Sequence, residues 1–305
     1  GVYYVGARSN WYPHAGDHFA YCELTFHYPR KLTLVAPGDM SLDSTDGEVR
    51  TSRWTTPSPV RVAGFNLGEY DKVDASLGGF QVTVYGNRHL ETALQPRAPD
   101  PVIINTPGRG RPATILSQAT PPQPDPSARL RAVAADVSAA LQFFSERFGP
   151  PSMKTLTVSP VPGAFGQGFP GLLYLSTLAY MNPSEWPAGM RNERSRLLFT
   201  DLIESHEVAH QWWGNVVTPS SSQDEWIQEG LADYSSLLWL EKKKGVRALD
   251  EVLDLYREDL LRKGANGQTV ESFGPITWGF RLEAGDPDSW RAITYEKGAW
   301  IFHML

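Results

Sequence analysis

Cysteine is almost missing from this chain: Cys22 stands alone among 305 residues. No internal disulfide can form, so the fold must rest on burial and hydrogen bonds. A lone thiol of this kind reads as a small, buried apolar residue. Long apolar runs are missing too. None approaches the ~20 residues that a membrane helix requires, so no transmembrane segment is expected. Concentrated positive charge is the third absence. Lys and Arg number 28 against 34 Asp and Glu, a formal net charge of −6. Phosphate binding needs Lys and Arg gathered on one face, so no nucleic-acid partner is expected. The only basic run, Lys242–Lys244, reads as a solvated helix end, where cations offset the helix dipole.

What is present points to a folded, two-part chain. Hydrophobic residues make up 41% of the sequence, which excludes a disordered chain. At about 100–200 residues per domain, the length suggests two. Residues 1–92 read as all-β. Alternating runs such as Tyr21–Phe26 and Gly79–Tyr85 are punctuated by Pro37-Gly38, Asp46-Gly47 and Gly78-Gly79. His14 and His18 fall four apart, but Pro13 and Gly16 exclude a helix there, so both read as loop residues. Residues 93–126 carry nine prolines and read as a linker or surface excursion. Helical periodicity begins after Pro126, with Leu130, Val133, Val137, Leu141 and Phe144 as a core stripe. Thr155–Ser159 and Leu172–Ser176 read as strands, and helical signals dominate from about Arg194. The domain expected over 127–305 therefore mixes a few strands with many helices.

One segment of that domain carries chemistry. His206-Glu207-Val208-Ala209-His210 matches His-Glu-x-x-His, in a helical frame set by Leu198, Leu202, Ser205 and Ala209. Gly214 is the expected helix stop. Residues four apart on a helix share one face, so His206 and His210 can hold one metal ion through imidazole nitrogens. Glu207 follows the first ligand and can act as base towards a water. The bare pattern arises by accident in about one chain in a hundred of this composition, so a third ligand is needed. Catalytic zinc sites use three protein ligands and leave a fourth position open.

Glu229 supplies that third ligand. It falls 19 positions after His210, on a second stretch with helical periodicity through Ile227, Leu231, Tyr234, Leu238 and Glu241. Two antiparallel helices joined by Val216–Gln223 would bring it beside the histidines. Asp233, one turn later, could accept the free ring N–H of a ligand histidine. A solvated helix acid is the alternative there.

These residues resemble the aminopeptidase N family of gluzincin zinc metallopeptidases, the family that includes leukotriene hydrolase. His206 to Asn215 is similar to the family's His-Glu-x-x-His-Gln-Trp-Phe-Gly-Asn, with Trp213 at the Phe position. Trp226 to Ala232 is similar to Trp-Leu-Asn-Glu-Gly-Phe-Ala. Tyr295-Glu296-Lys297-Gly298-Ala299 is similar to Tyr-x-Lys-Gly-Ala, and Tyr295 falls 89 positions after His206. The resemblance implies an α+β fold. An N-terminal β-sandwich or saddle-like domain, of which 1–92 is the later part, would precede a thermolysin-like catalytic domain with a small sheet and a mainly helical zinc-binding lobe. It further implies one Zn²⁺ ion, a peptide substrate, and a piece of a longer chain. It assigns Tyr295 a hydrogen bond to the oxyanion, a role that suits a phenol neutral at pH 7.

The pattern breaks at one point. The family carries Gly-x-Met-Glu-Asn upstream, whose glutamate grips the substrate's free α-amine. The corresponding stretch here is Gly163–Tyr174, which contains no glutamate. Gly168 stands at the glutamate position, and Gln167 beside it offers only an amide. Three readings follow: an aminopeptidase with another amine anchor, a zinc endopeptidase or other hydrolase without N-terminal recognition, and a peptide-binding pseudo-enzyme. The last leaves Glu207 without a purpose.

Overall fold

The computed structural model describes residues 1–9, 11–13, 18–96, 102–104, 114–116, 122–264 and 267–305. His14 lies outside them. The first third is β-structure. Strands β1 (Tyr3–Tyr4), β2 (Glu23–Pro29), β3 (Thr33–Val35), β4 (Asp39–Asp46), β5 (Val49–Thr55) and β6 (Asn66–Gly68) form two antiparallel three-stranded sheets, ordered β1-β6-β3 and β2-β5-β4. Cys22 is half-buried in this region rather than buried, because it flanks a strand whose residues alternate between solvent and interior.

The next hairpin belongs elsewhere. Strands β7 (Tyr70–Leu77) and β8 (Phe80–Asn87) turn through Gly78 and Gly79, at φ 59° and 83°. A tight two-residue hairpin needs positive φ at both positions. Strand β8 then pairs in parallel with β11 (Thr155–Val161). The complete sheet runs β12-β13-β11-β8-β7, where β12 is Gln167–Phe169 and β13 is Leu172–Ser176. The five-stranded sheet thus draws two strands from before the proline-rich segment, across the boundary expected at residue 92. Within that segment, β9 (Val102–Ile104) and β10 (Thr114–Leu116) form a separate antiparallel pair.

Both faces of the five-stranded sheet are covered, which explains why β13 reads as the unbroken apolar run Leu172-Leu173-Tyr174-Leu175. Leu173 and Leu175 join the stripe of helix α1 (Leu130–Phe148), whose Val133, Val137, Leu141 and Phe144 are fully buried. Leu172 and Tyr174 face the opposite way, against Val35 of the N-terminal sheets and Tyr70 at the start of β7.

A helical lobe packs beyond the sheet. After the single turn α2 (Thr177–Tyr180), helix α3 (Glu193–Leu197) passes through a π-helical stretch, Leu198–Leu202, into α4 (Ile203–Ala209). Tight turns follow, and Gly214 at φ 96° breaks the chain direction. Helix α5 (Glu225–Lys244) returns beside α4, and α6 (Val246–Leu261) follows. Lys243 and Lys244 close α5 on Asp136 and Asp201, at 3.0 and 2.7 Å. Short helices α7 (Phe280–Gly285) and α8 (Pro287–Arg291) lead into a second π-helical stretch, Ala292–Lys297, and then α9 (Gly298–Met304). Helix α9 crosses α5 at Gly230 and Gly298. A Cβ on either would lie 2.9 Å from the other's backbone, so this approach requires glycine on both helices. The crossing sets Tyr295 beside Glu229.

Candidate metal centre and catalytic cavity

The deeply buried face of α5 is polar. Glu229, Asp233 and Ser236 lie on it with Leu237 and Leu240. The periodic residues Ile227, Leu231, Tyr234 and Leu238 that mark the helix are half-buried or exposed, and the side facing α4 carries Glu229 and Asp233.

Three donor atoms converge there. His206 Nε2 and His210 Nε2 are 3.2 Å apart. Glu229 Oε2 lies 3.6 Å from the first and 3.4 Å from the second. A tetrahedral ion bound at about 2.0–2.1 Å holds neighbouring donors about 3.3–3.4 Å apart. The ring orientations agree. His210 Nδ1 lies 2.9 Å from the Trp213 carbonyl oxygen and donates to it, which turns a lone pair at Nε2 inward. His206 Nδ1 lies 3.5 Å from Asp233 Oδ1, the placement expected for an acid that orients a ligand ring. Two imidazole nitrogens and a carboxylate facing one another call for a shared proton or a metal cation between them. Two nitrogens and one carboxylate, with a fourth direction open to the cavity, fit a catalytic zinc ion.

The electrostatics agree with the geometry. Burial alone would raise the Glu229 carboxyl, but His210 and His206 outweigh it and hold it low. Burial works against charge on both rings, yet Asp233 and Glu229 draw His206, and Glu229 draws His210, towards positive charge. Glu207 is pushed up by burial, against the pull of both histidines. Its Oε2 is buried without a hydrogen-bond partner among the described residues. Tyr295 lies with its ring 5.8 Å from that of His206, at an interplanar angle of 25°. Burial, then Glu229 and Glu207, push its phenol far above the usual range, so it stays protonated and can donate.

All these groups line one cavity of about 1120 Å³. Its opposite wall is strand β12. Asn215 Nδ2 donates to the Gly168 carbonyl, at 3.2 Å. Gln211 donates to the Phe169 carbonyl, at 2.8 Å, and accepts from the Gly171 N–H, at 2.9 Å. Gln211 and Asn215 thus pin the strand to the chain leaving α4. They were visible in sequence only as part of a block, because their partners lie 40 or more positions away.

The strand approaches α4 very closely. A Cβ on Gly168 would lie 2.6 Å from His210 Cβ and 2.8 Å from the Glu207 carbonyl oxygen. A Cβ on Gly166 would lie 2.4 Å from Glu207 Oε1. No acid can occupy position 168 on this backbone. Gln167 reaches the cavity wall, but its amide oxygen accepts from the Ala7 N–H, at 2.9 Å.

The sequence reading left a possible replacement acid unplaced. Glu204 is buried outside the cavity lining, and Asp224 is absent from it. Glu225 is part of the lining, one turn before Glu229. Glu283 joins it there, paired with Arg8. Burial and then the Glu229 charge push the Glu225 carboxyl up to about 7.

Residues 186–305 match the Peptidase family M1 domain. The chain is 29% identical over 108 residues to bovine (Bos taurus) endoplasmic reticulum aminopeptidase 2, covering 35% of this chain and 11% of that protein. It is 28% identical over 212 residues to bovine glutamyl aminopeptidase, covering 65% of this chain and 20% of the relative. An M1 zinc metallopeptidase from Deinococcus radiodurans superposes over 94% of this chain and 52% of its own length, with a TM-score of 0.58 and 19% identity. The chain therefore spans about half the length of that structure and a fifth or less of these two curated relatives. The sequence match covers the helical lobe, and the likeness of fold extends over both that lobe and the β-structure before it.

Proposed function

We propose that this chain holds the catalytic centre of a zinc-dependent peptidase of aminopeptidase type. The observation that carries the reading is the triangle of His206 Nε2, His210 Nε2 and Glu229 Oε2, with sides of 3.2–3.6 Å, beside the unpartnered Glu207 Oε2. His206, His210 and Glu229 would hold one zinc ion, with Asp233 orienting the His206 ring. When bound, the ion supplies Lewis acidity towards a peptide carbonyl and a water.

The chain's own residues do the rest. Glu207 takes a proton from the attacking water and passes it to the leaving amine. Its burial raises its basicity for that transfer. Tyr295 donates to the carbonyl oxygen as negative charge develops there. The relatives are named as aminopeptidases, which favours a free N-terminal substrate for this chain.

One observation favours a second reading. The lack of room for an acid at Gly168 supports a zinc hydrolase freed from N-terminal recognition. Turnover of one peptide with a free amine against its N-acetylated twin, by the full-length protein loaded with zinc, separates the two. Cleavage of the free form alone is expected. Equal cleavage moves the endopeptidase reading to first place, and cleavage of neither by zinc-replete protein removes both.

A further inference from the structure

The closed approach of β12 to α4 leaves the strand wall without a charge to meet an ammonium ion. The helical wall carries carboxylates. Glu225 and Glu283 both line the cavity, with Arg8 between them. Arg8 is shared between the two acids: Nη1 lies 3.0 Å from both Glu283 oxygens, and Nη2 donates to Glu225 Oε1. Its contact with Glu225 is a single longer approach from Nη2 to Oε1, at 3.4 Å. Two carboxylates share one guanidinium, and Glu225, whose side chain is only 12% exposed, has the longer and single contact with it. Its Oε2 is buried and completes no hydrogen bond within the described residues. Trp290 leans towards Glu225 and favours its ionised form, yet its indole N–H also completes no hydrogen bond. An unpaired buried carboxylate oxygen is costly to hold, and a ligand that donates to it removes the cost.

Position selects the ligand. Glu225 and Glu229 share one face of α5, one helical turn or about 5.4 Å apart. In a peptide's first residue the α-amine lies about 2.5 Å from the scissile carbonyl carbon. With the carbonyl at the metal centre beside Glu229, the amine falls within one turn of it, towards Glu225. An ammonium group has three donors and can satisfy the free oxygen. The same end of the cavity is crossed by the N-terminal segment. The Ala7 N–H bonds Gln167, and Arg8 stacks 4.5 Å above the Phe280 ring while reaching α5 and α7. That crossing suits a substrate that ends there.

We infer that Glu225, with its neighbour Glu283 held by Arg8, is the anchor for the free α-amine of a peptide substrate, in place of the acid absent from Gly168. The inference rests on the aminopeptidase-type reading above and deepens it. Recognition has moved from the strand to the helix that already carries the metal ligand Glu229.

Binding without turnover tests it. Full-length protein carrying Glu207→Gln is loaded with zinc and titrated calorimetrically with trialanine amide and with its N-acetyl form. The free amine is expected to bind about tenfold or more tightly. In the double variants Glu207→Gln/Glu225→Gln and Glu207→Gln/Glu225→Ala the two peptides should bind alike, with zinc content and melting temperature retained as the check on folding. Equal binding in the single variant overturns the inference, as does a preference that survives both substitutions at 225. A wild type that hydrolyses peptides without an amine preference overturns only this anchor. A protein that prefers amines through Glu225 yet never hydrolyses them overturns only the peptidase reading.

Discussion

The two walls of the cavity follow different rules. The helical wall gathers Glu207, Glu225, Glu229, Asp233 and Glu296 around two histidines and a tyrosine. The strand wall offers Gly166, Gln167 and Gly168, with no charge at all. On the helical side, carboxylates tolerate burial because imidazoles, a guanidinium and a metal site compensate them. On the strand side, packing decides: each glycine is needed because His210 or Glu207 occupies the space a side chain would take. The candidate metal ligands and base are therefore set by spacing on helices. Room for a side chain on the strand depends on how closely it approaches them.

The largest effect should come from the helical wall. Glu207→Gln should lower kcat by about 10³-fold, within the range for a general base, with zinc stoichiometry unchanged by metal analysis. Activity close to wild type would break the division between the walls, since the base would then lie elsewhere. Tyr295→Phe should cost about 10²–10³ in kcat, or about 2.7–4 kcal/mol, as for loss of one oxyanion donor. KM should move far less. A change confined to KM would make Tyr295 a binding residue.

Glu296 probes the charge load of the helical wall through pH. Burial, followed by the Asp259 charge, pushes its carboxyl from 4.5 up to about 8. The folded state thus keeps a proton that the unfolded chain has lost. This group's contribution to stability therefore falls as pH rises from about 4.5 to about 8 and levels off above. Glu296→Gln should remove that slope and gain about 2–4 kcal/mol at pH 8, read by urea unfolding at pH 5 and 8. Parallel curves for variant and wild type would mean that the carboxyl does not titrate there.

The strand wall should answer through packing. Gly168→Ala should cost about 1–3 kcal/mol of stability from overpacking against His210, and should disturb zinc retention. Gly168 substitutions that leave melting temperature and zinc affinity intact would show that β12 can retreat, and room for an acid would reopen.

The two walls were unequally legible in the sequence. The metal set was readable because its logic is local. His206 and His210 lie one helical turn apart, and Glu229 needs only a neighbouring antiparallel helix. The stripe of α1 and the strands β11 and β13 were legible for the same reason, since period and composition reflect burial directly. The polar side of α5 was legible only through its spacing from His210, because Glu229, Asp233 and Ser236 add nothing to an apolar period. The β7–β8 hairpin gave no sign of its destination, since strand pairing partners are not encoded in alternation.

By itself, then, the sequence pointed to the candidate ligands, the candidate base and the elements that carry them, all of which follow from one or two turns of regular backbone. Only the tertiary structure decided that β8 would pair with β11, that Gly230 and Gly298 would let Tyr295 reach Glu229, and that β12 would press on α4 until no side chain fits at Gly168. The same packing set Arg8 on Glu283, 275 positions away, and left Glu225 lining the cavity. Such contacts depend on the relative placement of distant segments, which is set by how the whole core fills space.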